Sequence, residues 1–253
     1  MSRFLITGAS GRLGASALHH LVRRVDPGSV TALVRSQADA TALAGLGVEC
    51  RFGDYDDPAS LERVFVDVER VLFISSPVLD PETRLRQHRA VIHASSDVEH
   101  VVYTSARGAE YDPAHRFTEA ALGERGAVIL RNSLYTEPFV QDALLRGLVA
   151  DASAGAAVAT ASIHDLGAAA ARALVEPLGK RLWELRGPSW TFEELSATLR
   201  VPRDEVDAEG TGQFAPLVPL IRSGALADSS DDLEEILGRT PEDIRAVASR
   251  LAP

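Results

Sequence analysis

A chain of 253 residues with 45% apolar and 25% charged side chains has the composition of an ordinary folded protein and is long enough to bury a full core. No apolar run reaches the roughly 18 residues that suggest a membrane-spanning helix, so no membrane association is expected. A formal net charge of −10 excludes a general nucleic-acid binder, which needs a basic surface to neutralise phosphates.

The chain opens with Met-Ser-Arg and passes at once into a strand-like run, without the longer apolar segment and cleavage site of a secretory leader. A cytoplasmic protein is the expectation. Strands are predicted at 3–7, 30–34, 48–52, 71–74, 100–104 and 128–130, alternating with helices near 12–25, 37–46, 58–66, 81–94 and 116–123. Val71-Leu72-Phe73-Ile74 is apolar throughout, as in a strand covered by helices on both faces. The single cysteine, Cys50, lies in a β-type run, forms no internal disulfide and reads as a small core residue.

Beyond residue 150 the pattern changes. Runs 158–161 and 182–185 read as isolated strands, and Asp165 as the cap of an alanine-rich helix ending at Val175. Thr191 and Glu194 form a capping box for a helix reaching Leu199. Short helices follow at 214–221, 233–237 and 241–251, the last capped by Thr240 with Pro241 in its first turn, and 228–232 reads as a solvated loop. The fold class is therefore α/β: a doubly wound parallel sheet of the Rossmann type with a smaller mixed α/β segment. Residues 1–150 are expected to bind a nucleotide and 151–253 a substrate, with some interleaving.

The strongest motif is Thr7-Gly8-Ala9-Ser10-Gly11-Arg12-Leu13-Gly14, directly after the first strand and opening a helix. Gly8 permits the sharp turn, Gly11 lets backbone approach a pyrophosphate, and Gly14 lets the helix pack on the sheet. The amides from Ser10 through Leu13, at the positive helix end, then face phosphate oxygens. An NAD-selective site places an acid about 20 residues further on. Here Arg35 stands in that region, with no carboxylate read beside it, and its planar fork suits a 2′-phosphate. Arg12 is a second candidate contact, so NADP is the expected cofactor.

With these residues in place the chain resembles the NmrA-like atypical short-chain dehydrogenase/reductases, and among them the type-two NAD(P)H:quinone oxidoreductases. The resemblance extends through Val34-Arg35, Gly53-Asp54-Tyr55, Phe73-Ile74-Ser75-Ser76, Gln87-His88-Arg89, Tyr103-Thr104-Ser105, Leu130-Arg131-Asn132, Tyr135-Thr136-Glu137 and Leu182-Trp183-Glu184-Leu185. It implies that Asp54 and Tyr55 border the adenine, that Ser75 and Ser76 run along the ribose and pyrophosphate, and that Thr104 and Ser105 face the nicotinamide. Asn132, also counted among the cofactor contacts, Tyr135 and Ser105 are the expected polar lining of the substrate pocket, with Ser105 and Tyr135 acting on the substrate and Phe139 as an apolar wall.

The chain departs from the wider short-chain reductase pattern in one respect. Those enzymes use Ser with Tyr-x-x-x-Lys to protonate a carbonyl. Here the matching segment is Tyr111-Asp112-Pro113-Ala114-His115, and the single lysine, Lys180, falls far away. Ketone reduction generates an alkoxide, nearly as basic as hydroxide. Quinone reduction generates a phenolate comparable to tyrosine, of pKa about 10. Solvent can protonate the second without a dedicated acid. An NADPH-dependent reductase of a quinone or related small electrophile is thus the leading reading. A non-catalytic NADP(H)-sensing protein, the other role in this family, is the alternative.

Overall fold

Four Asp-Pro pairs punctuate the first half of the chain, and each starts a helical turn. Asp26, Asp57, Asp80 and Asp112 accept backbone N–H groups through their carboxylates, while the following proline occupies the first turn. The proline has no N–H to lose there and its φ is already helical. The computed structural model describes residues 3–252. The elements run β1 (Phe4–Ile6), α1 (Arg12–Leu21), β2 (Val30–Val34), α2 (Gln37–Leu43), β3 (Glu49–Phe52), α3 (Pro58–Val64), β4 (Arg70–Ile74), α4 (Pro81–Ala94), β5 (His100–Ala106), α5 (Pro113–Gly123) and β6 (Val128–Asn132). They continue with α6 (Thr136–Arg146), β7 (Val149–Asp151), β8 (Val158–Ala159), α7 (Ile163–Val175), β9 (Leu182–Leu185), β10 (Ser189–Trp190), α8 (Phe192–Leu199), β11 (Arg203–Glu205), α9 (Val218–Arg222), α10 (Asp232–Leu237) and α11 (Ile244–Leu251).

Seven strands form one sheet in the order β3-β2-β1-β4-β5-β6-β9, with every registered pair parallel. The order in which strands are added reverses between β3 and β4, which opens a crevice at the carboxyl ends of β1 and β4. This is the doubly wound Rossmann arrangement. Alternation divides the strands between two faces. Leu5, Phe73 and Tyr103 join Leu61, Val91 and Leu122 in one core layer under α3, α4 and α5. Arg70 and His100 turn to the other face and bond carbonyl oxygens of Leu174, Val175 and Ala173 on α7.

Contacts group the chain into two units, 1–132 with 166–184 and 133–165 with 185–253. The changeovers therefore fall after residues 132, 165 and 184. The run 182–185 is not isolated: Ile129 N–H donates to Arg181 O at 2.7 Å, and β9 extends the main sheet beside β6. In the second unit β8 pairs antiparallel with β10 and β7 parallel with β11. Its core stacks Phe139 on Phe214 at 4.3 Å, with Trp190 and Phe192 edge-on to Phe139. Phe139 is thus a core residue of that unit, 4% exposed, and not the pocket wall expected of it.

Three helix starts differ from expectation. Helix α5 begins at Pro113 rather than near 116, because Asp112 caps it. Ser162, not Asp165, caps α7 by accepting the Asp165 N–H at 3.0 Å, and the Asp165 carboxylate instead receives Arg239 and the Glu242 N–H. Asp243 caps α11, while Thr240 donates to Glu234. The Thr191–Glu194 capping box is present as expected. No helix among the described residues is long and apolar enough to cross a membrane.

Candidate functional site

The glycine loop leaves β1 through Thr7, whose hydroxyl donates to Leu72 O at 3.2 Å and accepts the Ile74 N–H at 2.9 Å. Gly8 has φ of +59°, a conformation that disfavours any side chain. A Cβ at Gly14 would stand 2.1 Å from Gly8 O and 2.9 Å from the Ala9 Cα, so helix and loop meet backbone to backbone. The first turn of α1 carries no acidic residue, which leaves its amides open to an anion. Leu13 points inward, 5% exposed, so only its backbone is available there.

Arg12 at the start of α1 and Arg35 just after β2 are both exposed, as a pair of 2′-phosphate contacts requires. Asp39 also stands here, without a signal of its own in the sequence. Its carboxylate accepts the Ser36 hydroxyl at 2.7 Å and the Ser36 N–H at 3.1 Å. These bonds from Ser36, and a further one from the Ser10 hydroxyl, hold its pKa below the ordinary aspartate value. A carboxylate therefore does stand beside Arg35. In the sequence its Ser-x-x-Asp spacing is legible only as a helix start.

Asp54 spends its side chain on a turn, accepting the Asp56 N–H at 2.9 Å. The Tyr55 hydroxyl lies 2.5 Å from Thr7 Oγ1 and 2.8 Å from Ile74 O, tying the ends of β1 and β4, and burial pushes its pKa up. Only its ring is left to border an adenine. Ser75 stays half-buried at the end of β4, its N–H bonded to Thr104 Oγ1 at 3.2 Å. Ser76 differs from expectation: it is 4% exposed, its hydroxyl donates to Gln87 and its N–H to His88 Nε2 at 3.0 Å. It points into the α4 layer, away from the open edge.

Thr104 and Ser105 likewise part company, because neighbours in a strand face opposite sides. Ser105 turns toward α5 and donates to Glu119 Oε1 at 2.6 Å. Arg131 grips the same carboxylate with Nε at 2.9 Å and Nη2 at 2.6 Å, and reaches Glu184 with Nη1 at 3.0 Å. Burial pushes the Glu119 carboxyl up, but the bonds from Arg131 and Ser105 outweigh it and hold it below the ordinary value. The Ser105 proton is thus committed to an anion. At the end of β6, Asn132 is 7% exposed and its Oδ1 has no hydrogen-bond partner. A buried carbonyl oxygen left unpaired is costly, and a bound amide N–H would satisfy it. The open helix end, the two exposed arginines and this orphaned acceptor fit a nicotinamide dinucleotide phosphate.

Beneath the strand ends lies a buried polar cluster that the sequence did not signal as one. Tyr103 OH is 2.6 Å from His115 Nδ1, and His88 Nδ1 is 2.9 Å from Thr118 Oγ1. Because His88 Nε2 accepts the Ser76 N–H, its proton sits on Nδ1. Burial first, then His115 and Arg84, push its pKa down to about 3. The folded state therefore holds His88 neutral, whereas the unfolded chain protonates it near 6.5. Its contribution to stability is complete above that pH and declines as pH falls toward 3. We expect His88→Gln to flatten the loss of stability between pH 7 and 5, measured by urea unfolding. An unchanged slope would show that His88 is not the group responsible.

Tyr135 belongs to the second unit, half-buried at the start of α6 with its backbone bridged to Ala161. Tyr111, which opens the segment that lacks the lysine of the short-chain reductase pattern, is 87% exposed. One group of metal-ligand type stands out among the described residues: His164, Asp165 and Glu242 bring ligand atoms within 4.8 Å. Arg239 and the Glu242 amide already occupy Asp165, and Arg250 pairs with Glu242 at 3.0 Å, so the charge there is met by protein.

A family model described as NAD(P)H-binding matches residues 8–145. Quinone oxidoreductase 2 of Escherichia coli (strain K12) is 36% identical over 208 residues, covering 77% of this chain and 72% of that protein. The crystal structure of Citrobacter sp. triphenylmethane reductase complexed with NADP(H) superposes with a TM-score of 0.89 at 29% identity, over 98% of this chain and 99% of that one. The NADPH-dependent quinone oxidoreductase of Escherichia coli complexed with NADPH gives 0.83 at 29% identity, over 99% and 100%.

Proposed function

The chain belongs to the NAD(P)H-binding family, and from that membership we propose that it is an NADPH-dependent reductase of quinones or related small electrophiles. The observation that carries the reading is the commitment of the Ser105 proton to Glu119 at 2.6 Å, beside an edge that fits the dinucleotide. Bound there, the dihydronicotinamide supplies the hydride. The amides of Ser10 to Leu13 hold the pyrophosphate, Arg12 and Arg35 the 2′-phosphate, and Asn132 Oδ1 the carboxamide. Ser105 offers a lone pair and no proton. Such a site suits a product that solvent protonates, such as the phenolate of a reduced quinone. The relatives that reduce quinones and triphenylmethane dyes support the same class of acceptor.

The test is NADPH oxidation by the purified protein with a panel of benzoquinones, naphthoquinones and a cationic triphenylmethane dye. Turnover at enzyme-like rates with one of them is expected. Tight NADPH binding without turnover on any would replace the reductase with a dinucleotide sensor. For the cofactor, Arg35→Asp should weaken NADPH about tenfold or more while sparing NADH, since one phosphate contact of this kind is charge-assisted. Asp39→Asn should act in the opposite sense, raising the preference for NADPH by removing a negative charge beside the phosphate. Titration of both nucleotides by calorimetry checks the pair; equal affinities in all three proteins would remove Arg35 and Asp39 from cofactor selection.

A further inference from the structure

The two loops that leave the carboxyl ends of β4 and β5 are built alike. In the first, the N–H groups of Ser75, Ser76 and Val78 bond Thr104 Oγ1, His88 Nε2 and Ser76 Oγ at 3.0–3.2 Å, and Asp80 caps α4. In the second, Arg107 N–H bonds Asn132 O at 2.8 Å, Ala109 is fully buried, and Asp112 caps α5. One guanidinium joins them. Arg84 donates from Nε to Val78 O and from Nη1 to Asp112 Oδ2, both at 2.6 Å, with its own side chain only 12% exposed.

Each loop leaves one large apolar side chain in solvent. Leu79 is 85% exposed and Tyr111 87%, and each adjoins in sequence the residue that Arg84 holds. The Tyr111 ring lies along Gly108, where a Cβ would stand 3.8 Å from Tyr111 Cδ2. Single exposed apolar residues are common and need no explanation. Here, however, two of them are carried on loops whose remaining backbone is pinned, on neighbouring strands, at the edge that also bears the glycine loop. A pinned loop loses little freedom when something binds, so apolar surface held this way is prepared for contact.

We propose that Leu79 and Tyr111 form the rim that receives a planar aromatic electron acceptor, with Arg84 as the residue that positions both. The inference rests on the reductase reading and adds to it the acceptor's shape: a fused aromatic ring system gains contact that a single ring does not. Tyr111 provides a flat face and Leu79 an aliphatic one, and neither offers a charge for a small polar substrate.

The experiment compares 1,4-naphthoquinone with 1,4-benzoquinone on the NADPH-loaded protein and on the variants Leu79→Ser and Tyr111→Ala. Both side chains are exposed, so both variants should fold as the parent does. The expected result is a lower KM for the naphthoquinone in the parent, lost by about tenfold in each variant, with kcat and NADPH affinity unchanged. Tyr111→Phe should restore it. Arg84→Met should raise KM in the same way and also leave kcat in place. A second readout, calorimetric affinity of the naphthoquinone for the NADP-bound protein, should follow the KM values. Variants indistinguishable from the parent in both readouts overturn the rim while leaving the reductase reading intact. A parent that binds NADPH but neither quinone removes quinones as the acceptor, an outcome distinct from loss of the rim alone.

Discussion

Gly14→Ala is expected to abolish NADPH binding and to destabilise the fold by about 3 kcal/mol or more, at or beyond the upper end of ordinary overpacking. The added Cβ would lie 2.1 Å from Gly8 O and 2.8 Å from Gly8 C, where no flexible side chain can move aside. Relief has to come from shifting α1 away from the loop. That displaces the amides of Ser10 to Leu13, which are the groups proposed to hold the pyrophosphate. Binding and stability should therefore fall together. Gly45→Ala is the matched control, because nothing lies within 4 Å of its Cβ position. Calorimetry and urea unfolding on the two variants check the prediction. NADPH affinity within about twofold of the parent in Gly14→Ala would remove the loop from the binding site.

Arg131→Met is expected to cost about 3–5 kcal/mol, because it removes one partner of an interior charge network. For a chain of this length that corresponds to a melting temperature roughly 6–20 °C lower. The Arg131 side chain is 20% exposed, Glu119 14% and Glu184 26%, so none of the three is freely hydrated. The pH dependence gives the prediction its sign. In the parent, Glu119 titrates below its ordinary value, so its contribution is present above about 4.5 and lost as pH falls through the folded value. Without Arg131, burial acts on Glu119 with little to oppose it and its pKa should rise. The deficit of the variant should then be larger at pH 8 than at pH 5. A deficit equal at both values would mean that Glu119 is not left as an unpaired carboxylate. The same loss frees the acid that Ser105 leans on, so the pH profile of acceptor reduction should also shift.

Much of the fold could be read directly from residues. The apolar run at 71–74, the capping box at Thr191 and Glu194, and the glycine loop all express local physics, and each stands where expected. What was hidden depends on partners distant in sequence. Asp165 has the right type for a cap, yet Ser162 takes that role because Arg239 and Glu242, more than 70 residues away, claim the carboxylate. Strand β11, Arg203–Glu205, is wholly exposed and charged, and carries no apolar signal; pairing with β7 alone makes it a strand. At the site, sequence located the strand ends but not the direction of each side chain. Ser75 and Ser76 look equivalent, yet Ser76 alone is drawn inward, by His88 and Gln87; Thr104 and Ser105 are both buried, on opposite faces of β5, and only Ser105 meets Glu119. Asp39 gives no signal because a capping residue and a cofactor-selecting residue have the same appearance in one dimension.

Strand β9 closes the far side of the main sheet, but it is made only after more than 180 residues have emerged. Until then the nascent chain carries β6 as a bare margin, with Val128, Ile129 and Leu130 ready to pair with any extended neighbour. A fragment cut near residue 150 to isolate the nucleotide half would keep that margin open for good and would also lack α7. It should aggregate in expression, whereas a deletion variant that joins 166–184 directly to residue 132 should remain dispersed.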